Sequence, residues 1–189
     1  KVNNNAYPLT GKTGFIAIQK RGLGFTGGIN MLSVEAGYNK YFNLGKNWYS
    51  SIQLNGKIKL PFDQAYINQR GLGYGENYLR GLEYYVIDGV VTGLVKTTLK
   101  KKIISFNVPF PFFPKLLNKI PFTFFAKTYT DVGYALTKDK YATNLSNRLL
   151  YSGGFGIDIL TLYDINLRFE YSFNQLGKNG LFLHNQSGF

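Results

Sequence analysis

Apolar and polar residues alternate along most of this chain. In "DINLRFEYSFN", Ile165, Leu167, Phe169, Tyr171 and Phe173 fall on one side, and Asn166, Arg168, Glu170, Ser172 and Asn174 on the other. A two-residue period of this kind is the signature of a strand with one apolar and one polar face. "NWYSSIQLNGKIKLPF" and "NMLSVEAGYNKYF" repeat it, and so does "LLYSGGFGIDI". Segments of this type fall near 13–22, 30–42, 47–62, 86–104, 122–136, 147–161, 164–174 and 179–189. No helical period of useful length interrupts them. Several exceed the roughly 5–6 residues usual in soluble strands, and reach the roughly 9–11 that cross a bilayer when tilted. The pattern predicts an all-β chain of about eight strands forming one domain over 1–189.

The connections alternate between short and long. "NLGKN" (43–47) and "LYD" (162–164) are short, whereas 24–30, 63–85, 137–147 and 175–180 are mostly longer. That alternation fits an antiparallel up-and-down transmembrane β-barrel, with short turns on one side and long loops on the other. One connection breaks it. "NVPFPFFPKLLNKIPF" (107–122) carries four of the six prolines and falls on the short-turn side. Proline cannot donate to a ladder, so this stretch is not expected to be strand throughout.

A soluble sandwich or lipocalin-like barrel would turn its apolar face inward; a membrane barrel turns it to lipid and lines its lumen with the polar face. Strand length, tyrosines and phenylalanines near strand ends, and charges placed mid-strand favour the membrane. The charges in question are Glu35, Lys57, Asp158, Arg168 and Glu170. A closed barrel would also pair every backbone group in lipid.

Composition narrows the chemistry. There is no cysteine, one histidine and only 10 acidic residues, which leaves little material for a metal centre or an acid–base pair. The net charge of +12 invites a nucleic-acid partner, but the basic residues are scattered along strands, and no nucleic acid is expected. The one dense run, "KTTLKKK" (96–102), reads as a solvated strand end. No apolar window is long enough for a membrane-spanning helix, and no signal peptide is evident. Because the chain opens on Lys1, a processed or truncated product is expected. "GLGYG" (71–75) precedes no helix and is no phosphate loop. His184 has no evident partner group. No cofactor, metal or catalytic site is expected.

The long 63–85 loop holds Arg80 in "ENYLRGLEYYVIDG", too rich in glycine for a helix and too apolar for a solvated loop. A candidate partner is Asp131 in "KTYTDVGYA". Lys127, Tyr129, Asp131 and Gly133 share one strand face. Asp131 is therefore expected to face the lumen, with Gly133 leaving room for an approaching loop.

"LRGL" in a long loop, followed some 50 residues later by "FFAKTYTDVG", resembles the BamA/TamA family of outer-membrane assembly and translocation barrels. In that family an Arg-Gly loop tip folds into the barrel and meets an Asp-x-Gly motif on the wall. Arg80 and Gly81 match the first motif, Asp131 and Gly133 the second. Leu82 stands where an aromatic residue usually follows. "AYPLTGKTGFIAI", with Pro8 and Gly11, is similar to the family's strand opening, and "SGGFGIDILTLYDINLRFEYSF" to its penultimate strand pair. The chain ends on Phe189, as outer-membrane barrels commonly do. Gly180, Leu181 and Leu183 form the apolar part of the terminal strand, while Asn185 and Ser187 depart from its usual pattern.

The resemblance implies either the C-terminal half of a sixteen-stranded barrel in a bacterial outer membrane or a natural eight-stranded relative. It implies a non-enzymatic role in inserting or translocating outer-membrane proteins. Membrane lipid and unfolded β-barrel clients would be partners, with or without accessory subunits. A passive pore or structural barrel, and a pore for a secreted partner, are the alternatives. A soluble basic β-protein on nucleic acid is a more distant one.

Overall fold

The structure is a computed structural model, and it describes residues 1–4, 6–24, 29–109, 119–138, 143–161 and 165–186. Eight strands run in order: β1 (Gly11–Arg21), β2 (Met31–Gly45), β3 (Trp48–Leu60), β4 (Val91–Pro109), β5 (Lys119–Leu136), β6 (Leu149–Leu160), β7 (Asn166–Asn174) and β8 (Gly180–Gln186). Each pairs antiparallel with the next in a single up-and-down sheet. The only helical element among the described residues is a short 3-10 turn, Tyr66–Asn68. No helix among the described residues is long and apolar enough to cross a membrane.

The sheet is not closed. β1 and β8 are its edges, with no ladder between them among the described residues. It curls nonetheless, so that Tyr41 of β2, Lys100 of β4 and His184 of β8 line a common cavity.

The two faces are inverted relative to a soluble core. The convex face exposes Ile16, Ile18, Leu149, Tyr151, Phe155, Ile157, Leu181 and Leu183. The concave face buries Lys59, Lys127, Asp131, Asp158, Asn166, Glu170 and Ser172. The register accounts for this sorting: Lys127, Tyr129 and Asp131 on β5 stand opposite Gly156, Gly154 and Ser152 on β6. Gly156 and Gly154 then stand opposite Glu170 and Ser172 on β7, on the same side. With a side-chain period of two, each of these rows stays on one face from strand to strand.

Three boundaries differ from the sequence pattern. β4 begins at Val91, not near 86, so the long loop spans 61–90. Its apolar residues are there for another reason: Leu72, Leu79, Leu82 and Ile87 pack with Leu94, Ala135, Leu145 and Leu150 into a cluster on the concave face. The proline-rich segment keeps its ladder further than expected, with Asn107 opposite Pro121 and Pro109 opposite Lys119. Its middle, 110–118, lies outside the described residues. So do Ser187, Phe189 and the 162–164 turn. The β2–β3 turn is tight because Lys46 and Asn47 both take positive φ, 49° and 65°, the backbone that joins twisted strands most closely.

Candidate functional site

The long loop enters the concave face and turns at its tip. The Leu82 N–H donates to the Leu79 carbonyl at 3.0 Å, closing a four-residue turn. Gly81 occupies the third position at φ +85°, a left-handed conformation that glycine adopts without steric penalty. A Cβ there would also lie 2.7 Å from the Ser172 Cβ. The Asn174 side chain donates to the Gly81 carbonyl at 2.7 Å, which fastens the tip to the end of β7.

This turn aims Arg80 at the wall. Its backbone N–H and its Nε each donate to Asp131 Oδ2 at 2.9 Å, and Nη2 donates to Oδ1. Nη1 donates to Thr98 Oγ1 at 2.9 Å and Nη2 also to the Thr97 carbonyl at 3.1 Å. The guanidinium lies 4.0 Å from the centroid of the Tyr129 ring. Tyr129 is itself held by a 2.6 Å hydroxyl contact with Ser172. Asp131 is fully buried. Burial opposes the Arg80 charge, but the hydrogen bonds and charge of Asp131 outweigh it and hold the guanidinium pKa above its ordinary value. A bidentate, charge-assisted pair of this kind fixes orientation as well as position.

Gly133 does what the wall needs at that point. A Cβ on it would meet Leu79 Cδ1 at 2.8 Å and Leu72 Cδ1 at 3.1 Å. The loop's leucines thus occupy the volume a side chain would take. Leu82 is 1% exposed and belongs to the same cluster. Arg80, Gly81, Asp131 and Gly133 therefore meet at one place. The terminal-strand residues lie elsewhere: Gly180, Leu181 and Leu183 are on β8, with Leu181 and Leu183 exposed on the convex side.

Two sequence expectations are corrected here. His184 does have partners: its Nε2 lies 3.1 Å from Glu83 Oε1 and 3.4 Å from Glu170 Oε2. Tyr78 stacks on its ring and Tyr84 leans on Phe182, so the loop touches the last strand as well as the fixed wall. Glu83 lies 101 positions away in sequence, and no local pattern could reveal it. The three groups have ligand atoms within 4.8 Å of one another, the only material for a metal ion among the described residues. Lys127 already sits on Glu170, which supplies positive charge without one. The lysine run is also more than a solvated strand end. Lys96 and Lys100 line the concave cavity, while Lys101 turns outward over Trp48.

A second polar network lies beside the clasp. Lys127 bridges Asp158 and Glu170, Lys100 approaches Asp158 at 3.5 Å, and the Tyr7 hydroxyl donates to Asp158 at 2.8 Å. The segment before β1 thus also folds onto the concave face. Comparison with models of known families, with curated proteins and with solved structures found no match.

Proposed function

We propose that this chain forms wall and lumen of an outer-membrane β-barrel of the BamA/TamA type, which helps insert or translocate other outer-membrane proteins. The observation that carries the reading is the Arg80–Asp131 clasp, with Gly81 at the turn and Gly133 beneath the loop. The inverted faces support the bilayer setting, because an apolar convex surface of this extent suits lipid far better than water. The edge strands β1 and β8, unpaired with each other among the described residues, suit strand augmentation, in which unpaired backbone groups template an incoming strand. The clasp keeps the loop inside while the terminal strand exchanges partners.

The test is client insertion into liposomes by the native protein and by Arg80→Ala and Asp131→Ala. Both variants should insert clients poorly and should expose the 61–90 loop to protease. Normal insertion with unchanged protease resistance would sink the proposal. A passive barrel is the second reading, favoured by the charged cavity of about 410 Å³ on the concave face. It predicts conductance in planar bilayers and no insertion activity.

A further inference from the structure

The cavity of about 410 Å³ is lined by loop, β2–β5, β7 and β8, and its cations outnumber its carboxylates. Arg80, Lys96, Lys100, Lys127 and Arg168 face it, against Glu76 and Glu170. Most of these cations have partners behind the lining. Arg80 is held by Asp131; Lys100 and Lys127 share Asp158, and Lys127 also contacts Glu170.

Lys96 is the exception. It stands directly across the ladder from Asp131, the natural partner for an ammonium on that face. Both Asp131 oxygens, however, already accept from Arg80. The Lys96 ammonium instead lies 4.1 Å over the Tyr78 ring, with no ion pair or hydrogen bond of its own among the described residues. An ammonium held in a half-enclosed site with no carboxylate in contact is unfavourable. The arriving loop thus takes the carboxylate and leaves a cation turned into the cavity, among the hydroxyls of Tyr41, Ser51 and Thr98.

We infer that this cavity is a binding site for a phosphate group, free or carried as a monoester, with Lys96 as its principal cation. Lysine suits that role as a compact point charge, and the surrounding hydroxyls donate to the remaining oxygens. The ligand supplies the charge that Arg80 removed by pairing with Asp131, so occupied cavity and docked loop stabilise each other. The inference rests on the concave-face geometry and not on the assembly role. Failed client insertion leaves it standing, and absence of phosphate binding leaves the assembly reading standing.

The experiment is calorimetric titration of the full chain in detergent micelles, at constant ionic strength held with sodium chloride. Inorganic phosphate and glycerol 3-phosphate are the two probes. Saturable binding of one anion per chain is expected, and the tighter of the two probes identifies the source. Lys96→Gln should weaken it at least tenfold, Lys96→Arg should retain it, and Lys20→Gln, on the outward side of β1, should leave it unchanged. Retention of binding by the Arg variant shows that the site folds with residue 96 replaced. No saturable binding, equal binding by Lys96→Gln, or equal loss in Lys20→Gln would overturn the inference.

Discussion

Asp131 pairs with Arg80 alone, but Lys96 stands across the ladder as a second cation, whereas no second carboxylate contacts Arg80 among the described residues, and that asymmetry makes the two halves of the clasp unequal. Removing Arg80 frees both Asp131 oxygens, and Lys96 stands directly opposite to take them. Removing Asp131 strands Arg80 and Lys96 together on a buried wall. Breaking a buried pair costs about 3–5 kcal/mol when the survivor has no substitute partner. Asp131→Ala should lose stability in that range, and Arg80→Ala clearly less. Denaturant midpoints in micelles measure both, and the opposite order would refute the partner exchange. Gly81→Ala provides an independent probe. It combines a left-handed φ of 85° with a 2.7 Å approach to Ser172, so it should undock the loop tip by roughly 1–3 kcal/mol. Faster proteolysis at the loop with unchanged β-sheet circular dichroism is the expected result. At this scale the sequence was informative where strand period applied. Asp131 and Gly133 share a face by parity alone, and a lone arginine between Leu79 and Gly81 in an apolar loop was anomalous enough to need a partner. It was silent about His184 and Lys96, because their surroundings depend on where a non-periodic loop comes to rest.

β4 and β5 are the longest strands, at 19 and 18 residues, and they outrun their neighbours. β3 pairs with β4 only as far as Lys101, and β6 pairs with β5 only from Thr123. Beyond those points the two form a ribbon, displaced by a bulge between Lys102 and Ile104. Phe106 stacks against Phe122 and Phe124 along it. A two-stranded ribbon is marginal without a sheet beside it. Amides of 103–108, 119, 120 and 122 should therefore exchange with deuterium much faster than those of 91–101, read by mass spectrometry of peptides. Uniform protection along β4 would mean that something else supports the ribbon. Alternation located all eight strands, and it misplaced the start of β4 for a physical reason. "YYVIDG" is apolar because the loop buries Ile87 in its own cluster, where a single bridge to Leu72 replaces a ladder. Apolar residues report burial, and only a continued period of two reports a strand. The prolines erred in the other direction. A two-stranded ribbon has no third strand on its outer edge, so Pro121 is tolerated there.

On the scale of the whole molecule, the concave face is already occupied. The 61–90 loop, the Tyr7 segment and the Lys100–Asp158–Lys127–Glu170 network lie against it. Eight strands closed on themselves leave an interior just wide enough for their own side chains. A loop core of four buried residues, Leu72, Leu79, Leu82 and Ile87, exceeds that room. The docked loop and the open sheet are compatible with one constraint, and keeping Arg80 on Asp131 is expected to hold β1 and β8 apart. The absence of cysteine makes this directly testable. Paired cysteines can be placed on the convex side along β1 at 16, 18 and 20 and along β8 at 181, 183 and 185, then oxidised in micelles. With the clasp intact, no intrachain disulfide should form at any pairing, as read by gel mobility without reductant. In an Asp131→Ala background the loop is released, the edges are free to approach, and crosslinks should appear. Efficient crosslinking with the clasp intact would mean that eight strands close around the loop, and that the docked loop does not set the width of the sheet.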